Sequence, residues 1–486
     1  MSSTRTTDAT TPSDLAALLG AAHDARETVA RSTPGERAGW LRALADRVDE
    51  EADALIALAH EETHIPTERL RAEAVRTSFQ LRFFGDVLAE GRFLGAVVDH
   101  ADADWPMGPR PDIRRVNIPV GPVLVYEASN FPFAFGVLGG DTASALAAGC
   151  PVLLKTHEAH PRLAAAFGAL ATGALRSAGA PDGVFALVHG QEAGVSALRD
   201  SRVRAASFTG SVPGGRALFD IAASRPDPIP FYGELGSVNP VFALPGAVRE
   251  RGAALAAEYV ASFTASAGQL CTKPGLLFLP EGHGLDGALR DALTGAGGQR
   301  MLTGRMAEGY AAGADARTRA DGVSVLAAAD GGGQGLPPVL LLQVSSRDFV
   351  RRQELLQGEC FGPLSLVVTY RDEEELLRLA GSLEPSLTST VQAEPGDDAT
   401  AARLLTVAQR HAGRLLYNAW PTGVTVSWAQ QHGGPYPSST AEATTSVGAA
   451  GIERFLRPVA WQSVPDRLLP DPLKEGNPWG VPRRTG

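Results

Sequence analysis

The sequence predicts an α/β protein with a Rossmann-like parallel sheet near its middle and a second α/β unit after it. Three observations predict this. Helical periodicity is nearly continuous from about Pro12 to Arg92. Continuous apolar strands then alternate with helices from Val123 to about Ser224. A second set of apolar strands follows from Asn239. Strands apolar on both faces that alternate with helices form parallel sheets covered on both sides. Right-handed crossovers then give the doubly wound arrangement.

The elements follow in order. Leu15, Leu18 and Leu19 recur at helical spacing, as do Trp40, Leu41, Leu44 and Val48, and Leu55, Leu58 and Ala59. Ser32 and Thr33 before Pro34, with Glu36 beyond, mark a capped helix start. The Pro-rich interval Trp105–Asp112 ends this block, and RRVNIPVGPVLVY reads as two short strands divided by Pro119 and Gly121. FAFGVLGGDTASALAAG reads as a small-residue helix, CPVLLK as a strand and HPRLAAAFGALATGALRSAG as a helix. GVFALVHG and RAASFTG are strands, each followed by a helix. In the second unit NPVFALPG, PGLLFLP, PVLLLQV, PLSLVVTY, LTSTVQA and GRLLYNA supply strands, and AAADGGGQGLPP is a surface connection. The Gly-, Pro-, Ser- and Thr-rich tail from His432 contains one strand-like segment, ERFLRPVAWQ.

Composition narrows the function. A chain of 486 residues exceeds one ordinary core, so two or three domains are expected. The formal charge is −10, from 44 Lys and Arg against 54 Asp and Glu, with no basic cluster to hold nucleic acid. The polar first eleven residues do not read as a signal peptide, and no stretch has the apolar length of a membrane helix. Cys150, Cys271 and Cys360 are too few for a disulfide framework and match no metal spacing. A cytoplasmic protein with free thiols and no metal centre is expected.

Three segments set reactive side chains among small residues. In GQLCTKPG, Cys271 lies on an irregular loop after a helix, where a thiol can be exposed; a lone cysteine is more often a small buried hydrophobe. In FYGELGSVNP, Glu234 is flanked by Gly233 and Gly236 and reads as a mobile base or as a solvated loop acid. In EASNFPFAFG, Asn130 follows a strand at the carboxyl end of the sheet, where its amide could donate to an oxyanion or simply form a turn.

Together with FTGS, ECFGP and the ordering of these segments, the chain resembles the aldehyde dehydrogenase superfamily from about Ala17 to its end. GGDTASALAAG, NAWPTGVTV, HGGPYPSS, TTSVG and IERFLRPVAWQ are similar to the bacterial 2-oxoglutarate semialdehyde (2,5-dioxovalerate) and NADP-linked fatty aldehyde branch. The resemblance implies the aldehyde dehydrogenase fold: a Rossmann-like cofactor domain, an α/β catalytic domain and a small β oligomerisation element. The corresponding divisions are 1–97 (helical part of the cofactor domain), 98–117 (oligomerisation segment), 118–233 (nucleotide-binding domain), 234–418 (catalytic domain) and 419–486 (return segment and oligomerisation strand).

By the same resemblance Cys271 is the nucleophile, Glu234 the general base and Asn130 the oxyanion donor. Lys155 and Glu158 meet the adenosine ribose, Phe208, Thr209, Gly210 and Ser211 face the pyrophosphate, and Glu359 and Phe361 hold the nicotinamide end. The implied reaction is NAD- or NADP-dependent oxidation of an aldehyde through a cysteine thioester, in a homodimer or homotetramer. The expected substrate is a semialdehyde such as 2-oxoglutarate semialdehyde. The alternative is a long-chain aldehyde in a tunnel lined by Phe133, Phe135, Trp420 and Trp428. An acylating enzyme has no need of Glu234, and a non-catalytic protein no need of the three site residues. Glu158 favours NAD by charge, whereas the branch includes NADP users.

Other polar positions remain open. Lys273 reads as a local cation for the thiol or as a solvent-facing lysine. Glu127 reads as a cofactor contact or a helix-facing acid, and His157 and His160 as structural or solvent-facing, with cofactor contact as the alternative. Cys150 and Cys360 read as packing, and His432 as a loop residue near the subunit boundary.

Overall fold

A computed structural model describes residues 9–331 and 336–486. Four helices open the chain: α1 (Pro12–Arg31), α2 (Pro34–Glu50), α3 (Ala52–Thr63) and α4 (Thr67–Glu90). The expected cap at α2 is present, with Thr33 and Glu36 closing a reciprocal capping box. Leu41, Leu44 and Val48 turn inward and are fully buried. The surface connection AAADGGGQGLPP falls partly outside the described residues.

Strands β1 (Ala96–Asp99) and β2 (Ile113–Pro119) come next, then β3 (Val123–Tyr126). The alternation begins there with α5 (Gly140–Ala148), β4 (Val152–Lys155), α6 (Pro161–Ser177), β5 (Phe185–Val188), α7 (Gln191–Arg199), β6 (Ala205–Thr209), α8 (Val212–Ala223) and β7 (Phe231–Glu234). These strands form a parallel sheet in the order β5-β4-β3-β6-β7. The chain winds outward from β3 on one side and from β6 on the other, so the crevice for ligands opens at the carboxyl ends of β3 and β6.

The expected helix over Phe133–Gly149 is shorter than its apolar pattern suggested. Residues 131–139 form successive turns, and α5 starts only at Gly140. A Cβ on Gly136 would lie 1.9 Å from the Pro132 carbonyl oxygen, and one on Gly139 would meet the Phe135 backbone. The chain folds onto itself there, and glycine is what permits it.

The second unit comprises β8 (Pro240–Ala243), α9 (Pro245–Thr264), β9 (Leu276–Pro280), β10 (Ser324–Ala329), β11 (Val339–Ser345), β12 (Leu364–Tyr370), β13 (Ser386–Gln392) and β14 (Ala412–Tyr417). Its sheet runs β10-β11-β12-β9-β8-β13-β14, parallel except for the antiparallel β10. Apolar clusters cover both of its faces, around Phe242, Phe278 and Phe349 on one side and Tyr259, Phe263 and Leu289 on the other. A third sheet joins β15 (Leu456–Gln462), β2, β1 and β16 (Arg483–Thr485) in that order. It pairs the two intervals that the resemblance assigned to one small β element.

The segment 235–239 passes from the carboxyl end of β7 to the amino end of β8. Cys271 lies in a turn five residues before the start of β9, on the same amino edge of the second sheet. The carboxyl edge of one sheet therefore meets the amino edge of the other, with Glu234 and Cys271 on opposite sides of the junction.

Candidate active site

Glu234 is the last residue of β7 and is buried, not a solvated loop acid. Backbone pairing with the tail fixes it: Leu235 N–H donates to Ser438 O at 2.9 Å and Thr440 N–H to Gly233 O at 3.0 Å. This pairing draws the stretch 432–446 across the junction. Within that stretch Ser446 N–H donates to His432 O at 2.9 Å and His432 N–H to Thr445 Oγ1 at 2.8 Å, so His432 and Ser446 lie side by side.

Both hold the carboxylate. His432 Nε2 is 2.8 Å from Glu234 Oε1, and Ser446 Oγ donates to Oε2 at 2.6 Å. The same Nε2 lies 3.6 Å from Cys271 Sγ. His432, expected near a subunit boundary, is a fully buried member of the site. No periodicity could have signalled this, because the tail pairing that brings it here spans about 200 residues of sequence separation.

Burial pushes the Glu234 carboxyl up, but neighbouring His432 and hydrogen bonds from His432, Ser446 and Cys271 outweigh it and hold the group below its usual range. Burial and the nearby Glu234 and Glu359 carboxylates push the Cys271 thiol well above its ordinary value, against the charge of Arg76. At rest the sulfur keeps its proton and the carboxylate is the base.

The cysteine loop is held from several sides. Asn239, at φ +52°, donates to Cys271 O at 2.8 Å and Lys273 O at 3.0 Å, and its Oδ1 accepts from Thr388 and Ser237. Lys273 is neither solvent-facing nor a cation for the thiol: its buried ammonium donates to the carbonyls of Cys360, Gly362 and Leu364 at 2.6, 3.0 and 2.9 Å. Asn130 is buried as well. Its amide donates to Gln269 O at 3.0 Å, within two residues of the thiol. Its own carbonyl accepts from Arg69, which pairs with the buried Glu73 at 3.1 Å. The structure thus brings Cys271, Glu234 and Asn130 together.

The remaining positions divide. Phe133 is fully buried and packs edge-on against Phe167, Trp420 packs at a tilt against Tyr259, and Trp428 meets Phe83 edge-on while half of it stays exposed. Phe135 does reach the site, with its ring centroid 6.4 Å from that of His432. Glu127 is buried beside His160 and accepts from the His157 N–H at 2.8 Å. Cys150 and Cys360 are buried in apolar clusters.

The aldehyde dehydrogenase family profile matches residues 2–290 and 300–459, on both sides of this junction. This chain belongs to the aldehyde dehydrogenase family. It is 43% identical over 468 residues to alpha-ketoglutaric semialdehyde dehydrogenase 2 of Azospirillum brasilense, covering 95% of this chain and 89% of that protein. It is 40% identical over 473 residues to the alpha-ketoglutaric semialdehyde dehydrogenase of Acinetobacter baylyi, again covering 95% and 89%. The structure of aldehyde dehydrogenase 21 from Physcomitrella patens superposes with a TM-score of 0.78 at 19% identity, over 93% of this chain and 91% of that one, which shows the shared fold.

As a member of the family this chain is an NAD(P)-dependent enzyme, and its residues fit a dinucleotide. Helix α8 starts at the carboxyl end of β6, where Ser211 caps it by accepting from Gly214 N–H at 3.3 Å. Gly210 and Ser211 are exposed, so the first-turn N–H groups face the crevice, as phosphate binding needs. Thr209 is half-buried at the end of β6. The Phe208 side chain packs between Tyr126 and Phe231, which leaves its backbone for any contact. Lys155 ends β4 half-buried, its amine lowered by desolvation and opposed by Glu158, which is exposed. Glu359 is pressed against Gly236, where a Cβ would lie 2.2 Å from its Oε2, and burial pushes it up to about 7. Phe361 is half-buried two residues on.

Proposed function

We propose that this enzyme oxidises 2-oxoglutarate semialdehyde to the dicarboxylic acid, with Cys271 as nucleophile. The observation that carries the chemistry is the Cys271–His432–Glu234 cluster, a thiol and a base joined by one imidazole nitrogen. The semialdehyde follows from the two relatives above, both acting on alpha-ketoglutaric semialdehyde by name.

Glu234 takes the thiol proton through its direct hydrogen bond with Cys271, and the sulfur attacks the aldehyde carbon. The developing oxyanion is met by the Asn130 amide and the backbone N–H of Cys271. When bound, the nicotinamide supplies the acceptor for the hydride that leaves the adduct, so that the carbon remains on Cys271 as a thioester. Glu234 gives the thiol proton up to solvent and then deprotonates water, which attacks that carbon and releases the acid while the departing sulfur takes its proton back from Glu234. A buried carboxylate that is ionised at rest and returns to that form after each proton transfer serves both steps. It also separates this reading from an acylating enzyme, which has no use for a water-activating base.

In this reading Lys155 and Glu158 meet the adenosine ribose, Phe208 to Ser211 the pyrophosphate, and Glu359 and Phe361 the nicotinamide side. Glu158 and Glu192 are both exposed near the ends of β4 and β5 and favour a free ribose hydroxyl over a 2′-phosphate, hence NAD. The sheet β15-β2-β1-β16 is proposed as the oligomerisation element of a dimer or dimer of dimers. Its seven-residue edge strand β15 has one side unpaired among the described residues. No described helix is long and apolar enough to cross a membrane, and three free thiols suit the cytoplasm.

The test is a matrix of kcat/KM values for 2-oxoglutarate semialdehyde, a short and a long aliphatic aldehyde, each with NAD and NADP. The highest value is expected for the semialdehyde with NAD. A long-chain aldehyde as the best substrate would overturn the substrate assignment, and preference for NADP the cofactor assignment.

A further inference from the structure

A dicarbonyl acid brings a carboxylate at the end remote from its aldehyde, and that group needs a cation inside the site. Two arginines stand there with unmatched donors. Arg76, on α4, uses Nη1 to donate to Val424 O at 2.5 Å, while its Nε and Nη2 are shielded from solvent without a hydrogen-bond partner. Arg414, on β14, donates through Nη1 to Gly423 O at 2.9 Å and through Nη2 to Pro421 O at 2.8 Å, and its Nε is likewise shielded and unmatched. Both side chains thus grip one short segment, 421–424, from two different domains.

Their place relative to the thiol is also fixed. The Arg76 guanidinium lies over the Phe135 ring at 5.6 Å, and that ring neighbours His432. The charge of Arg76 opposes the upward push on the Cys271 thiol, and Arg414 is also within electrostatic reach of it.

A shielded guanidinium N–H without an acceptor is costly, so two on one arginine call for an anion. Nε and Nη2 form the side-on edge of the guanidinium, whose two parallel N–H groups match the two oxygens of a carboxylate. We propose that Arg76 binds the substrate carboxylate through this edge and that Arg414 Nε supplies a further donor, making the pair the specificity site for acid-bearing aldehydes. This rests on the semialdehyde reading above and assigns it residues.

The experiment compares kcat/KM for 2-oxoglutarate semialdehyde and pentanal in wild type, Arg76→Gln, Arg76→Lys and Arg414→Gln. The ratio of the two values is the readout, since it cancels any loss common to both aldehydes. Losing the bidentate contact is expected to lower that ratio about 30-fold in Arg76→Gln. Arg76→Lys, which keeps the charge without the fork, falls between Gln and wild type. Arg414→Gln is expected to lower the ratio about fivefold. Glutarate, which carries no aldehyde, is expected to compete with the semialdehyde in wild type and to lose affinity in parallel. That competition can be read by protection of Cys271 from alkylation even where a variant turns over poorly. A wild type that prefers the semialdehyde, with ratios and glutarate affinity in the variants within about twofold of it, overturns this inference alone. A wild type indifferent to the carboxylate overturns the semialdehyde reading and this one with it.

Discussion

Replacing His432 by Asn tests whether the imidazole keeps Glu234 in its working state. His432 Nε2 lies 2.8 Å from one carboxylate oxygen, while Ser446 donates to the other at 2.6 Å and would remain. A buried hydrogen bond to an ionised group contributes about 1.5–3 kcal/mol. At 1.36 kcal/mol per pH unit, its loss raises the Glu234 pKa by about 1–2 units. The sign follows from the native state. Glu234 is held below its usual range, so the base form exists above that depressed value and is lost as pH falls through it. In His432→Asn the acid limb of the rate profile therefore moves upward by about 1–2 pH units. The alkaline plateau falls less than the rate near neutrality. The assay is single-turnover hydrolysis of the acyl-enzyme as a function of pH, with steady-state formation of reduced nucleotide beside it. An acid limb that stays within about 0.3 unit of wild type, or moves down, would refute the assignment of His432 to Glu234.

Three further outcomes are expected. Asn239→Ala strips the cysteine loop of its donors and leaves Thr388 and Ser237 without an acceptor, so thermal unfolding should show a loss of about 2–4 kcal/mol together with lower activity; unchanged stability would show that the clamp is dispensable. Gly236→Ala places a Cβ 2.2 Å from Glu359 Oε2 and must displace that carboxylate, so the KM for nucleotide should rise roughly tenfold, with an unchanged KM counting against Glu359 as a cofactor contact. The donor atoms of Glu234, Cys271 and His432 all lie within 4.8 Å of one another, a spacing that a metal could also use. At 2.8 Å, however, the Nε2–Oε1 pair is hydrogen-bonded, and chelators should leave the rate unchanged while added zinc inhibits. Loss of activity on chelation that zinc restores would favour a metal centre.

Much of this site is legible in the amino-acid sequence. Cys271, Glu234 and Asn130 stand out because each sits among glycines, prolines or small residues at the end of a regular element, where backbone constraint and reactive chemistry coincide. The alternation from Val123 onward fixed the parallel sheets for the same kind of reason: buried strands must be apolar on both faces. What could not be read depends on distant pairing. His432 and Ser446 belong to the site only because the tail pairs with residues 233–235, and nothing local in QHGGPYP marks a buried imidazole. Lys273 reads in sequence as a local cation for the thiol or as a solvent-facing lysine, yet three carbonyls surround its ammonium in the folded chain. Residues 131–139 carry an apolar pattern suited to a helix, but the close approach of Gly136 to Pro132 replaces it with turns. Pattern reports which face is apolar; it does not report where the backbone folds onto itself.

The central claim is that Cys271 carries the substrate as a thioester whose hydrolysis needs Glu234. Its most direct test is the mass of Glu234→Gln protein quenched after mixing with NAD and 2-oxoglutarate semialdehyde. Acylation should be slower than in wild type, because Gln cannot take the thiol proton, yet an adduct of one acyl group should accumulate because its hydrolysis lacks the base, located by digestion on the peptide that contains Cys271. Absence of any adduct while reduced nucleotide accumulates, or an adduct on Cys150 or Cys360, would contradict the account.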